Sequence, residues 1–376
     1  MTSTSVPNIR PRLAVIGCGW WATHFHIPGL LSYDRARLIG IVDPDEERLA
    51  VAQSTFRVPG FSSLEDLLRD VGVDGVVVAT TNATHYEVAR RALEAGLHVM
   101  VEKPMTLHAR EAWELVRIAD AGGLHLQVGY THHFTRSAQR LMQVLTGGEL
   151  GDLIQVSGLY ATMAEAYYRG RPKDYDDVFH FATAAPGANT YSDPKIAGGG
   201  QGMTQVTHLI GMILWASGRR VTDVCAFMNN RDLAVDLVDA IAFRLNNGGV
   251  GSIGSTGNLR PGDPHQREVR YYGSEGYALQ DLMSAAVEIH FVGGRVERIS
   301  PEEGEDPYPA QATARGFADL IAGRAPNLAP GEAGARAVEF LEAAYASAAC
   351  GERVEVVTST GGAPSAGSVN GSGEEQ

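Results

Sequence analysis

Leu13-Ala14-Val15-Ile16-Gly17-Cys18-Gly19-Trp20-Trp21-Ala22 decides the fold of this chain. Four apolar residues of strand character run into a glycine turn, and a helical stretch follows. The turn has the spacing Gly-x-Gly-x-x-Ala. In that arrangement Gly17 permits a tight reversal, Gly19 lets the backbone approach a pyrophosphate, and Ala22 allows helix and strand to pack closely. The helix begins with its free N–H groups facing the anion. Trp20 and Trp21 fill the variable positions and are counted with Gly17, Gly19 and Ala22 as dinucleotide contacts. A glycine pattern alone is a weak signal; the strand before it and the helix after it give it weight.

The next strand-like run, ARLIGIVD, ends in Asp43. A carboxylate there accepts hydrogen bonds from the adenine ribose hydroxyls and repels a 2′-phosphate, which favours NAD over NADP. Arg48 lies about one helical turn beyond. It is either a solvated helix arginine or a group that stacks on adenine or meets a 2′-phosphate, and the second reading keeps NADP as an alternative cofactor.

Further short apolar runs follow: GVVVAT, HVMVE and LHLQVGY. Helical patterns separate them. Ala112, Leu115, Val116 and Ala119 share one helix face. Thr84 and Glu87 have capping-box spacing before ARRALEAG, with Gly96 placed to end that helix. Strands alternating with helices predict a doubly wound parallel sheet, a Rossmann domain over residues 12–129. From residue 130 the strands lengthen and alternate in polarity, and Asn247-Gly248-Gly249 and Gly293-Gly294 read as hairpin turns. An open-faced, mostly antiparallel sheet with helices on one face is expected over 130–355, an α+β substrate domain. Residues 332–350 are Ala-rich and helical. Residues 1–11 and 357–376 are polar and of low complexity, and are expected to be disordered.

The chain has 376 residues, enough for two cores. A formal net charge of -13 argues against nucleic acid as a general partner. Three scattered cysteines suit neither a disulfide scaffold nor a cysteine zinc site. No apolar run reaches the length of a membrane span, and residues 1–11 lack the apolar core of a secretion signal. A cytoplasmic protein without membrane contact is expected.

Three segments occur in order: LAVIGCGWWATHFHIPGL, VVVATTNATHYEVARRALEAGLHVMVEKPMTL and GGGQGMTQVTHLIGMILWASG. Together they resemble the glucose–fructose oxidoreductase, inositol dehydrogenase and rhizopine-catabolism (Gfo/Idh/MocA) family, over about residues 12–355. The resemblance implies a hydride transfer between nicotinamide and a secondary alcohol or ketone of a sugar, nucleotide sugar, amino sugar or cyclitol. It implies that Lys103 of Glu102-Lys103-Pro104 reaches the substrate hydroxyl and the nicotinamide side of the cleft, so that it also counts as a cofactor contact, that Glu102 contacts the nicotinamide ribose region, and that Pro104 follows a cis peptide. Thr80, Asn82 and His85 match the segment beside the cofactor, and His208 matches the catalytic histidine. A homodimer or homotetramer paired through the open sheet is expected by the same resemblance. So are two alternatives to plain dehydrogenation: a lyase or glycosidase using NAD for internal redox, and a non-catalytic dinucleotide-binding regulator.

The chain departs from the family pattern in places. Thr204 and Gly211 stand where acidic residues flank the family's histidine, and His133 stands before Phe134 where many members carry arginine. If residues 201–208 are helical, Gln201, Gln205 and His208 share one face. Lys103, His132, His133, Gln205 and His208 are therefore the expected substrate contacts. A lysine desolvated in a cleft exchanges protons near neutrality, and an ordinary histidine titrates there unaided. The competing reading of each residue is plain: a surface lysine, a satisfied core histidine, loop or packing residues. No metal site is expected, since His132, His133, His180 and His208 lack metal-motif spacing. Trp20, Trp21, Tyr167, Tyr168 and Tyr191 suit stacking on a sugar face or ordinary packing.

Overall fold

The computed structural model describes residues 9–179, 181, 183 and 185–357. Most of both expected disordered tails, and His180, lie outside these residues.

Six strands form the first sheet: β1 (Arg12–Ile16), β2 (Arg37–Val42), β3 (Gly60–Phe61), β4 (Gly75–Val78), β5 (His98–Val101) and β6 (Leu126–Val128). All pair in parallel, in the order β3-β2-β1-β4-β5-β6. The order reverses beside β1, and the crevice beyond the strand ends at that point is where this topology binds ligands. Gly17 follows β1 and Thr80 follows β4, so both border it. β3 was not anticipated; two residues are too short to leave a periodic trace.

Helix Ala109–Gly122 buries Ala112, Leu115, Val116 and Ala119 as their spacing predicts. Helix His85–Glu94 ends as expected, with Gly96 at φ +79° just past it. Its start corrects the expectation of a capping box. Thr84 makes no side-chain cap, because its hydroxyl donates instead to Thr81 O (2.8 Å) and Thr80 Oγ1 (2.9 Å).

The second sheet contains β7 (Leu153–Ala161), β8 (Val221–Asn229), β9 (Val238–Leu245), β10 (Val250–Thr256), β11 (Gln266–Gly273), β12 (Gly276–Asp281), β13 (Ala286–Phe291), β14 (Val296–Ile299) and β15 (Val354–Glu355). Their order is β14-β13-β12-β11-β7-β10-β9-β8-β15. Only β7 and β10 pair in parallel. The two expected hairpins form, with Gly248, Gly293 and Gly294 at positive φ. Buried and exposed residues alternate along β9, the mark of a sheet covered on one side. Helices Arg136–Thr146, Thr207–Ser217 and Gly331–Cys350 share the core with the covered side. Phe227, on β8, is 74% exposed.

The chain then returns to the first sheet. Helix Ala310–Ile321 places Ala314, Phe317, Ala318 and Leu320 in one apolar cluster with Leu13, Val15, Ile27 and Leu30. Helix Gly331–Cys350 packs on Ala109–Gly122. The crevice is thereby closed on one side by the second sheet.

Candidate active site

Two cavities meet along the crevice, sharing Trp20, Trp21, Ala79, Thr80 and Tyr191 in their walls. The outer one, of about 530 Å³, also includes Gly17, Gly19, Asp43 and Arg48. Gly17 has φ +97°, and a Cβ there would lie 2.5 Å from Ala79 O. Gly19 has open space where a Cβ would stand, so its backbone faces the cavity bare. Ala22 is fully buried in one cluster with Leu13 and Val15. Asp43 is 2% exposed; it accepts from Cys18 N (2.8 Å) and Asp45 N (2.9 Å). Arg48 Nη1 sits 3.2 Å from Asp43, and its Nη2 reaches Asp45. Arg48 is thus a half-exposed helix arginine tied to two carboxylates. A bare glycine backbone beside a fixed carboxylate fits the pyrophosphate and ribose of a dinucleotide. Gly17→Ala is expected to weaken NAD binding by at least about tenfold and to lower the melting temperature, because the residue must relax both a contact and a strained φ. Calorimetry and thermal unfolding check this; wild-type affinity in the variant refutes it.

The inner cavity, of about 330 Å³, is lined by Glu102, Lys103, Gln205 and His208 among others. Glu102 is a buried hub. Its Oε1 accepts from Trp21 Nε1 (3.0 Å) and bonds His26 Nε2 (2.9 Å), and its Oε2 accepts from Lys103 N (3.1 Å). Burial works against the carboxylate. The His26 hydrogen bond and the His26 and Lys103 charges outweigh it, so the pKa ends below the ordinary value. The helical segment 20–31 contains a π turn at Ala22–His26. His26 faces Glu102 while His24 faces the cavity, and the two point apart as expected.

Lys103 precedes a cis bond to Pro104 and donates from Nζ to Thr204 O (3.2 Å). Burial lowers its pKa, Glu102 opposes that, and Arg267 adds to it. His85 is buried with Nδ1 2.8 Å from Pro104 O and Nε2 3.2 Å from Thr80 O, bracing the two strand ends. Asn82 donates to Ala197 O (2.9 Å) and ties the same loop to the second unit. Thr80 borders both cavities.

His208 is 4% exposed and stacks on Tyr160 at 6.0 Å and 10°. Burial, with the Lys103 charge next, holds its pKa well below the ordinary value. The expectation that it titrates near neutrality is therefore corrected: the ring stays neutral. Among the described residues its Nδ1 is buried without a partner, as are Trp20 Nε1, Tyr167 OH and Arg267 Nε in the same walls. Unpartnered polar atoms around an aromatic cavity are the demand that a polyhydroxyl ligand satisfies.

Comparison with known proteins agrees with this geometry. Residues 11–130 match the family model described as an oxidoreductase family with an NAD-binding Rossmann fold. Residues 138–279 match the C-terminal domain model of the same family. The chain belongs to the Gfo/Idh/MocA oxidoreductase family.

Among relatives, an uncharacterized oxidoreductase of Synechocystis sp. is 34% identical over 43% of this chain and 43% of its own length. That match therefore spans less than half of either protein. The UDP-N-acetylglucosamine 3-dehydrogenase of Acidithiobacillus ferrooxidans is 26% identical over 87% of this chain and 94% of its own length. The fold resembles that of a levoglucosan dehydrogenase solved with NADH and levoglucosan, at TM-score 0.78 and 19% identity, covering 93% of this chain and 100% of that one.

Several site expectations for this family member need correction. His133 is not in the cavity. It stacks on Trp215 (4.2 Å, 12°) with Nδ1 at Leu328 O (3.1 Å), because consecutive residues of the turn Thr131–Phe134 point apart. His132 is buried behind the wall, 6.0 Å from the His208 ring, with its pKa pushed down to about 3 by burial. Gln201, Gln205 and His208 do not share a face. The π turn Gly202–Val206 breaks the 3.6-residue period, so Gln201 turns to Tyr168 OH (2.9 Å) and Ser255 Oγ (2.9 Å). Gln205 and His208 remain in the cavity, joined by Thr204.

Sequence reading missed Tyr160, Thr162, His265, Arg267 and Tyr308, all in the cavity wall. The i, i+2 pairs Tyr160/Thr162 and His265/Arg267 carry the one available signal, the alternation of a strand with one face inward. Among the described residues no group of three or more His, Cys, Asp or Glu is arranged to hold a metal.

Proposed function

We propose that this chain is an NAD(H)-dependent dehydrogenase that oxidises a secondary alcohol of a sugar, nucleotide sugar, amino sugar or cyclitol, or reduces the matching ketone. Residues 12–129 carry the cofactor's glycine turn and Asp43 and lend Lys103 to the substrate, and 130–355 supply the rest of the substrate wall. The single observation that carries this is Lys103: a half-buried amine with lowered pKa and no carboxylate ion-pair partner among the described residues, in one cavity with His208.

When bound, NAD supplies the hydride acceptor at its nicotinamide. Asp43 receives the adenine ribose hydroxyls and excludes a 2′-phosphate, with Arg48 folded against it. Lys103 takes the proton of the reacting hydroxyl in oxidation and returns it in reduction. Neutral His208 hydrogen-bonds the same oxygen and orients it, with Gln205 beside it. Glu102 holds Trp21 and the Lys103 backbone, which fixes where the amine points. The protein works in the cytoplasm as a homodimer or homotetramer paired through the open face of the second sheet, where exposed Phe227 supports an interface. Among the described residues no helix is long and apolar enough to cross a membrane.

The test is absorbance at 340 nm with NAD and NADP, each against a panel of sugars, cyclitols and nucleotide sugars. Reduction of NAD by at least one polyol, with NADP slower, is the expected result. Product formation without net NADH moves the assignment to internal redox. NAD binding with no turnover of any panel member sinks the dehydrogenase reading.

A further inference from the structure

The proposed reaction leaves one charged group of the inner cavity without a task. Arg267 enters β11 opposite Tyr160 of β7 in the antiparallel register. Its guanidinium lies 4.8 Å from the centre of the Tyr160 ring, and that ring stacks on His208. Guanidinium, phenol and imidazole therefore follow one another along one wall. Arg267 Nη2 reaches Thr162 Oγ1 (3.4 Å) and donates to His265 Nδ1 (3.1 Å). Its Nε is buried and has no partner among the described residues.

Among the described residues no carboxylate lies within ion-pair distance of Arg267 or of Lys103. The carboxylate in this cavity wall is Glu102, and its oxygens are already taken by Trp21, His26 and the Lys103 backbone. The histidines facing Arg267 add no further positive charge: burial lowers the pKa of both, reinforced at His208 by Lys103 before the guanidinium and at His265 by the guanidinium. A chain of net charge -13 thus keeps in one small aromatic cavity a guanidinium that no carboxylate among the described residues pairs, beside an amine whose nearby carboxylate, Glu102, already holds other donors. A partly buried cation without a counter-charge is costly unless a ligand supplies the charge. With Nη2 held by Thr162 and His265, the guanidinium keeps its Nε–H and Nη1 donors for a carboxylate.

We propose that Arg267 binds a carboxylate of the substrate, so that the polyol oxidised here is a sugar acid of the hexuronate type, with its reacting hydroxyl at Lys103 and His208. This rests on the dehydrogenase reading above. Carboxylate is favoured over phosphate because the remaining donors of one guanidinium are on offer, without the several convergent donors that a phosphate takes up.

The test is calorimetric titration of glucuronate and galacturonate, and of their neutral amides, into NAD-saturated protein. The acid of at least one pair is expected to bind about tenfold or more tightly than its amide, the worth of one charge-assisted hydrogen-bonded pair. Arg267→Gln is expected to remove that difference and Arg267→Lys to keep part of it, each with an unchanged NAD affinity as the check on folding. Equal binding of acid and amide in the wild type, no binding of either, or an acid preference that survives in Arg267→Gln overturns the proposal. So does tighter binding of glucose 6-phosphate than of both acids. The same mixtures read at 340 nm separate the two readings. NADH formed only from neutral sugars overturns the acid and keeps the dehydrogenase. Arg267-dependent acid binding with no NADH from any substrate overturns the dehydrogenase instead.

Discussion

Replacing Lys103 with alanine lowers kcat about 10²–10⁴-fold and leaves NAD affinity within a few-fold of wild type. The size is that of a lost general acid–base group. NAD affinity survives because the outer cavity, with Gly17, Gly19 and Asp43, does not depend on the amine. Lysine is a base only when neutral, and burial lowers the Lys103 pKa. The neutral amine is thus present at lower pH than for an exposed lysine. Oxidation is expected to speed up as pH rises through that lowered value, and ketone reduction to slow down over the same range. His208 adds no limb near the ordinary histidine pKa, because burial holds it neutral throughout. Steady-state pH profiles in both directions check this. A Lys103→Ala enzyme within tenfold of wild type, or an oxidation rate independent of pH, removes Lys103 from the chemistry.

Replacing Glu102 with alanine destabilises the protein by roughly 3–5 kcal/mol, the usual penalty for stranding the partners of a buried charge. Trp21 Nε1, His26 Nε2 and Lys103 N lose their acceptor together. The melting temperature is expected to fall by on the order of 10 °C, with activity falling as well. Glu102→Gln should be intermediate, since its amide keeps one acceptor oxygen but turns a donor toward other donors. The folded pKa of Glu102 lies below its ordinary value of 4.5. Its contribution is therefore full above the unfolded pKa and is lost as pH falls through the lower folded one. The melting gap between wild type and Glu102→Ala should close in acid. A gap that stays constant from neutral to acid pH contradicts the charged-hub reading.

The two units were legible because their signals are short-ranged. Gly17 needs positive φ and close approach to Ala79, and a glycine after an apolar run reports both. The alternation of β9 and the helix face of Ala112, Leu115, Val116 and Ala119 repeat within a few residues of chain. Such patterns survive without any knowledge of what packs against them. Thr84 shows the limit even locally: its hydroxyl had several acceptors within reach, and the spacing did not say which would win.

The inner cavity was only partly legible. Lys103, Gln205 and His208 were found, two of them through family resemblance rather than through any periodicity. Chain position does not show that His133 turns to Trp215, nor that a π turn interrupts the helical period and takes Gln201 off the cavity face. Arg267, Tyr160 and Tyr308 had no motif to announce them.

By itself, then, the sequence determined the order of strands and helices, the glycine turn, the acidic end of β2 and the change of style near residue 130. Those follow from backbone sterics and from burial of one face, which act between near neighbours in the chain. Only the tertiary structure decided which groups hold Lys103, that His208 is neutral, and that Arg267 stands beside Tyr160 without a counter-charge. His26 meets Glu102 across 76 residues, and Lys103 meets Thr204 across 101. Charge state and partnership at that range depend on what water is excluded and which side chains arrive, and no local spacing records either.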